Sequence, residues 1–99
     1  MDMRKMLKQA QEMQSRLQQE VERLEVEGTA GGGMVSARMN GKKQLLSIAF
    51  KPGAVDPADL EMLQDLVVAA VNEAARKVDE ALAERLGGMA GMLGLPGGL

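Results

Sequence analysis

The stretch Glu27-Gly-Thr-Ala-Gly-Gly-Gly-Met-Val-Ser-Ala-Arg-Met-Asn-Gly-Lys-Lys-Gln-Leu-Leu-Ser-Ile-Ala-Phe-Lys51 decides how this chain folds. Asn40-Gly41 is a strong hairpin signal, because a two-residue type I′ turn needs positive φ at both central residues. Val35, Ala37 and Met39 alternate before it; Leu46, Ile48 and Phe50 alternate after it. Period-two spacing places each trio on one face of a strand. A two-residue turn would pair Met39 with Lys42, and a four-residue loop would pair Met39 with Gln44. Both registers have the same parity, so the trios share a face either way. Upstream, Glu25 to Ala30 reads as a third, Gly-interrupted strand, joined to the hairpin by a tight turn at Gly31-Gly32-Gly33.

Long helical patterns flank this small sheet and carry apolar stripes to bury. The first runs from Asp2 to about Val26. Met3, Ala10, Leu17 and Leu24 are spaced by seven, Met6 and Met13 fill a second seam, and Leu7 and Val21 flank it. Such a helix could lie on its own sheet, or part of it could pack against a second copy. Length favours the second arrangement: a helix of ~25 residues is near 38 Å long, and six-residue strands reach only about 20 Å. The opposite face carries Gln9, Gln11, Gln18, Gln19 and the basic residues.

Asp56-Pro57-Ala58-Asp59 opens the second helix. Asp56 suits the N-cap and Pro57 the first helical position. Leu60, Leu63, Val67, Ala70, Val71, Ala74, Val78 and Leu82 follow at helical spacing. Gly87-Gly88 should stop the helix near Leu86, with the part from Arg76 onward projecting past the sheet. The chain therefore divides into one α+β domain, residues 1–86, and a Gly- and Met-rich tail, residues 87–99, expected to be flexible.

Composition narrows the function. Phe50 is the sole aromatic residue and Met occurs nine times, so the core is Leu, Val, Ala and adaptable Met. A core that thin in 99 residues favours oligomerisation. Histidine, cysteine, tyrosine and tryptophan are absent, which removes the commonest general base, the thiolate nucleophile and most metal-ligand sets. Asp56 with Asp59 is explained by capping, and Asp79 with Glu80 by a solvated helix face. The glycine loop is no phosphate cradle: Gly41-Lys42 is present, but Ser36 stands where the first Gly of a P-loop belongs and Lys43 follows. No enzyme, cofactor or metal site is expected. The Gln-rich N-terminus has no apolar core and is no signal peptide, and no apolar run approaches the ~20 residues of a membrane span. Absent cysteine fits a reducing cytoplasm.

Net charge is −2 but unevenly spread. Residues 1–16 carry +2, residues 17–27 carry −3, residues 28–55 carry +4 and residues 56–86 carry −5. Basic charge thus sits at the tip of the first helix and on the hairpin, where Ser36, Arg38, Lys42 or Lys43, Ser47 and Lys51 form either a solvated face or a contact for a polyanion.

Taken together, Met-Leu-Lys-Gln-Ala-Gln-Glu-Met-Gln at residues 6–14, Gly31-Gly32-Gly33-Met34-Val35, Asn40-Gly41, Leu63-Gln64-Asp65-Leu66-Val67-Val68-Ala69-Ala70-Val71-Asn72-Glu73-Ala74 and Gly94-Leu95-Pro96-Gly97 resemble the YbaB/EbfC family of bacterial nucleoid-associated proteins. The pieces span nearly the whole chain, in order. The resemblance implies an α-β-β-β-α subunit, a tweezer-like homodimer, and binding of double-stranded DNA by projecting helices. It also implies a cytoplasmic, nucleoid-associated protein with links to recombination and repair partners. Carried over, the DNA-binding positions are Arg4, Lys5, Lys8 and Arg16 on the first helix, and Arg76, Lys77 and Arg85 on the second. The positions expected at the dimer interface are Leu17, Val21, Val35, Ile48, Phe50, Val67 and Val71.

The physics favours contacts to the phosphate backbone with little sequence preference. The positive end of the first helix's dipole should add to them, and no aromatic is available for stacking single-stranded bases. A competing reading is a protein-interaction module that recruits a partner through Met-rich surfaces and the apolar tail. A membrane-surface helix fits the Gln-rich face of the first helix worst.

Overall fold

In the computed structural model, which describes residues 2–92 with side chains through residue 85, the sheet has one apolar face, and α2 covers the part of it on β1 and β2. The order is α1 (Met3–Arg23), β1 (Glu25–Ala30), β2 (Val35–Asn40), β3 (Leu45–Phe50), a 3-10 turn Pro52–Ala54, and α2 (Leu60–Met92). The strands form an antiparallel sheet in the order β1-β2-β3. This is the α+β, α-β-β-β-α subunit expected.

Alternation sets the two faces. Val26 lies opposite Met39, Gly28 opposite Ala37 and Ala30 opposite Val35. These form the face under α2, where Val35, Ala37, Met39, Ala70, Ala74 and Val78 are buried. The intervening pairs Glu25–Asn40, Glu27–Arg38 and Thr29–Ser36 line the polar face. Arg38 Nη2 donates to Glu25 Oε2 there at 2.8 Å.

Gly28 is what lets α2 lie so close. A Cβ at that position would come within 2.8 Å of Ala74 Cα, and nearer still to Ala74 N and the Ala70 carbonyl oxygen. The interruption in the strand pattern is therefore the seat of a helix built from small residues. At the far end, Gly31, Gly32 and Gly33 all have positive φ, at 64°, 67° and 92°, as the tight turn requires.

The hairpin departs from the expected two-residue turn. Neither Asn40 nor Gly41 has positive φ; Lys43 does, at 60°. The loop is Gly41-Lys42-Lys43, a three-residue turn closed by a left-handed third residue. Asn40 stabilises it from its side chain: Oδ1 accepts from Lys42 N at 2.9 Å and Gln44 N at 3.0 Å. Gly41 serves close approach instead, since a Cβ would sit 2.9 Å from the Val21 carbonyl carbon on α1. Register changes too. Val35 pairs with Phe50 and Ala37 with Ile48, keeping the expected shared face, but Met39 pairs with Leu45 through a bulge. Of the expected partners, Lys42 stays in the loop and Gln44 pairs with Asn40 where the loop closes, and Leu46 is the extra residue.

Both helices have shifted ends. α1 stops at Arg23, three residues before the expected Val26, because Leu24 turns extended to enter the core. α2 begins at Leu60, not at Pro57. Asp56 Oδ1 caps a preceding turn by accepting from Ala58 N at 2.9 Å, and Asp59 Oδ1 accepts from Met62 N at 3.1 Å as the cap of α2 itself. At its other end α2 runs to Met92 through Gly87-Gly88 rather than stopping near Leu86. The isolated cost of two glycines is small beside a continuing backbone ladder. Of the expected tail, residues 93–99 lie outside the described residues. α2 also stays on the sheet longer than expected: Val78 is buried, and Ala81 and Leu82 pack on the core, so the helix has not left the body at Arg76.

α1 has nowhere to lie. The polar sheet face offers nothing to its stripe, and α2 occupies the apolar face over β1 and β2. No residue of α1 is buried. It leaves the body at the hairpin end and projects, giving extents of 70 × 24 × 15 Å and a radius of gyration of 18.9 Å. A rounded chain of this length would have about 13 Å.

Candidate nucleic-acid interface

The base of α1 is held by its last two turns. Val21 meets Gly41, Lys42 Nζ lies 3.2 Å from Glu22 Oε1, and Arg85 Nη1 donates to the Glu20 carbonyl oxygen at 3.4 Å. Leu17 and Val21, half-buried, line an open groove of about 530 Å³ with Lys42. Lys43 Nζ, at 2.7 Å from Asp79 Oδ1, ties the hairpin to α2 beside this junction. α1 and the far end of α2 therefore leave the sheet at the same end.

The seven basic residues singled out from the sequence divide into two sets. On α2, Arg76 is clasped by Glu73 and Glu80. Lys77 Nζ donates to the Glu27 carbonyl oxygen at 2.7 Å, pinning β1 under the helix. Arg85 reaches back to Glu20. These three cations are occupied in holding the subunit together. On α1, Arg4, Lys5, Lys8 and Arg16 are exposed, and among the described residues no carboxylate pairs with any of them.

Arg23 belongs with the α1 set, although the sequence pattern did not single it out. It follows Lys5 by eighteen residues, five whole turns, so the two lie in line on one helix face. Arg16 falls close to the same line. The row from Lys5 to Arg23 is about 27 Å long, and Glu12 is the one acid within it.

Two electrostatic details bear on the site. Asp2 Oδ1 accepts from Arg4 N at 3.0 Å, so a carboxylate already occupies the positive end of α1. One of the N–H groups at the start of α1 is thus satisfied by its own cap. The Arg76 clasp also shifts both partners. Its hydrogen bond holds the Glu73 carboxyl below the usual glutamate range, and Glu73 in turn raises the Arg76 guanidinium. Glu73 is depressed in the folded state, so its contribution is present above the unfolded glutamate range and fades as pH falls through the folded value. In Arg76→Gln the Glu73 carboxyl should titrate higher, back toward its ordinary range, as read by carboxyl carbon NMR; an unmoved titration would discount the clasp.

The expected interface positions also separate. Val35 is wholly buried in the subunit's own core and presents nothing to a partner. Val67 and Val71 are half-buried against that core. Phe50 is 47% exposed on β3, beside Leu45 and Leu46, and Ile48 is half-buried. Val55, Leu60, Met62 and Val68 are further exposed apolar residues of the body.

The match to known proteins is consistent across sequence and fold. The model of the YbaB/EbfC DNA-binding family matches residues 1–93. The chain belongs to the YbaB/EbfC family. This YbaB/EbfC chain is 54% identical over 88 residues to a nucleoid-associated protein of Koribacter versatilis (strain Ellin345), covering 89% of this chain and 83% of that one. It is 48% identical over 99 residues to a nucleoid-associated protein of Pelotomaculum thermopropionicum, covering 97% and 94%. The crystal structure of an uncharacterized protein from Helicobacter pylori superposes with a TM-score of 0.60 at 25% identity, over 77% of this chain and 88% of that one. The YbaB/EbfC family is a family of nucleoid-associated DNA-binding proteins, not of enzymes.

Proposed function

We propose that this YbaB/EbfC chain works as a homodimer that holds double-stranded DNA along the cationic faces of its two α1 arms. The observation that carries the reading is the division of cations among the described residues: those on the arms have no carboxylate partner, while Arg38, Lys42, Lys43, Arg76, Lys77 and Arg85 on the body are engaged and Lys51 alone there is not. Arg4, Lys5, Lys8, Arg16 and Arg23 are the contacts, with Arg76, Lys77 and Arg85 as supports of the body. The acidic second helix repels the duplex and confines it to the arms. Phosphate contacts dominate, because no ordered loop or aromatic accompanies the basic row and Phe50 sits away from it on β3. The protein then acts in the cytoplasm, on the nucleoid.

The dimer forms through the β3 side of the body, with Ile48 and Phe50 central and Leu17 and Val21 at the margin. β3 reads Leu-Leu-Ser-Ile-Ala-Phe, an edge strand without a charge, and such an edge invites a second chain. A subunit core of small side chains supports the same conclusion.

Salt dependence tests the reading. With ~4 to 6 phosphates neutralised per dimer, log K should fall against log salt with a slope of about −4 to −5. A flat dependence would overturn it.

A further inference from the structure

The duplex grip proposed above uses one face of α1, and the opposite face is left bare. At 100° per residue, Met3, Met6, Leu7, Ala10 and Met13 centre roughly 130° from the row of Lys5, Arg16 and Arg23. Met3 is 81% exposed, Leu7 65% and Met6 52%. Nothing among the described residues covers this seam, because this part of α1 lies beyond the hairpin and buries no residue on the sheet.

The pattern of the seam says what kind of surface it fits. Met3, Ala10 and Leu17 with Met6 and Met13 repeat every 3.5 residues, the spacing of a contact between two helices. One flank is Gln11, Gln14 and Gln18, uncharged, so identical copies meet there without like-charge repulsion. Methionine adapts to an identical partner without demanding one fixed shape.

We propose that the outer half of α1 pairs with α1 of a second copy belonging to another dimer, and that dimers joined this way bridge two duplexes. The inference rests on the duplex-binding reading of the arms. Pairing through the Met seam leaves both cationic faces pointing outward, away from each other, so each can hold its own duplex. Each dimer then owns two kinds of self-complementary contact, one on the body and one on each arm. Alternating them joins dimer to dimer in a chain, unless the symmetry closes on a tetramer.

Two measurements test this. In the first, two short duplexes, one with a donor fluorophore and one with an acceptor, report bridging by energy transfer. Wild type should bridge them. Met6→Gln with Met13→Gln keeps helix propensity and charge, and should cut bridging at least about tenfold while binding a single duplex within about twofold of wild type. Retained bridging, or an equal loss of single-duplex binding, overturns the proposal. In the second, sedimentation of duplex-free protein at rising concentration should exceed two subunits for wild type and stop at two for the variant. A wild type that never exceeds two subunits overturns it, the seam then being covered within the dimer or by residues 93–99. So does a variant that falls to one subunit. Wild type that assembles beyond two but binds no duplex supports the pairing and sinks the duplex reading instead.

Discussion

Lys5→Glu with Lys8→Glu is expected to lower duplex affinity by on the order of a hundredfold and to flatten its salt dependence. Both side chains are exposed on α1 without a carboxylate partner among the described residues. A dimer presents each twice, so the pair supplies four of its ten arm cations and about two of the ~5 neutralised phosphates. Every phosphate left without its cation takes about 0.9 off the salt slope, which should drop from about −4.5 to about −2.7. Charge reversal adds repulsion, so the affinity falls further than neutral substitution would take it. The fold should be untouched, since α1 buries no residue. Arg76→Gln is the matching control. Its guanidinium is already held by Glu73 and Glu80, and duplex affinity should stay within about twofold. Gel shifts of both variants across a salt series decide the matter. Equal weakening in the two would show that the division of cations has no bearing on DNA.

Gly28→Ala is expected to destabilise the subunit by about 3 kcal/mol, the upper part of the range for overpacking. The added methyl has no flexible side chain to displace. It meets the backbone of α2 at Ala70 and Ala74, so helix and sheet must separate along their whole contact. That contact contains most of the buried residues: Val35, Ala37, Met39, Ala70, Ala74 and Val78. For a domain of this size, the destabilisation corresponds to roughly 15 °C in Tm. Thermal unfolding followed by circular dichroism measures it. A midpoint within a few degrees of wild type would mean that α2 does not rest on β1 as described.

Much of the fold is legible in the sequence because it rests on local patterns. β1 falls on residues 25–30 as expected, since a short run between a helix pattern and three glycines has little freedom. The alternation of Val35, Ala37 and Met39 and the stripe from Leu63 to Val78 mark the two surfaces that pack together. The interface is only half legible. Basic residues can be counted in a sequence, but their partners cannot. Lys77 finds a carbonyl fifty residues away, and Arg85 a carbonyl sixty-five residues away. Arg23 is hidden by the acidic block around it, although its spacing from Lys5 is there to be read. The turn type differs from expectation because Asn-Gly commonly supplies positive φ, whereas here Gly41 is needed for the passage of α1.

What the sequence determined by itself was the set of elements, their order and the side each turns toward apolar neighbours. Those follow from periods of two and about 3.6 residues, from caps and from glycines, all set by near neighbours along the chain. Only the tertiary structure decided which helix occupies the sheet. The sheet has a single apolar face, Gly28 admits the Ala-rich α2 at short range onto β1 and β2, and α1 is left off that surface. Among the described residues, that arrangement leaves α1 without a buried residue and fixes which of its cations have no carboxylate partner.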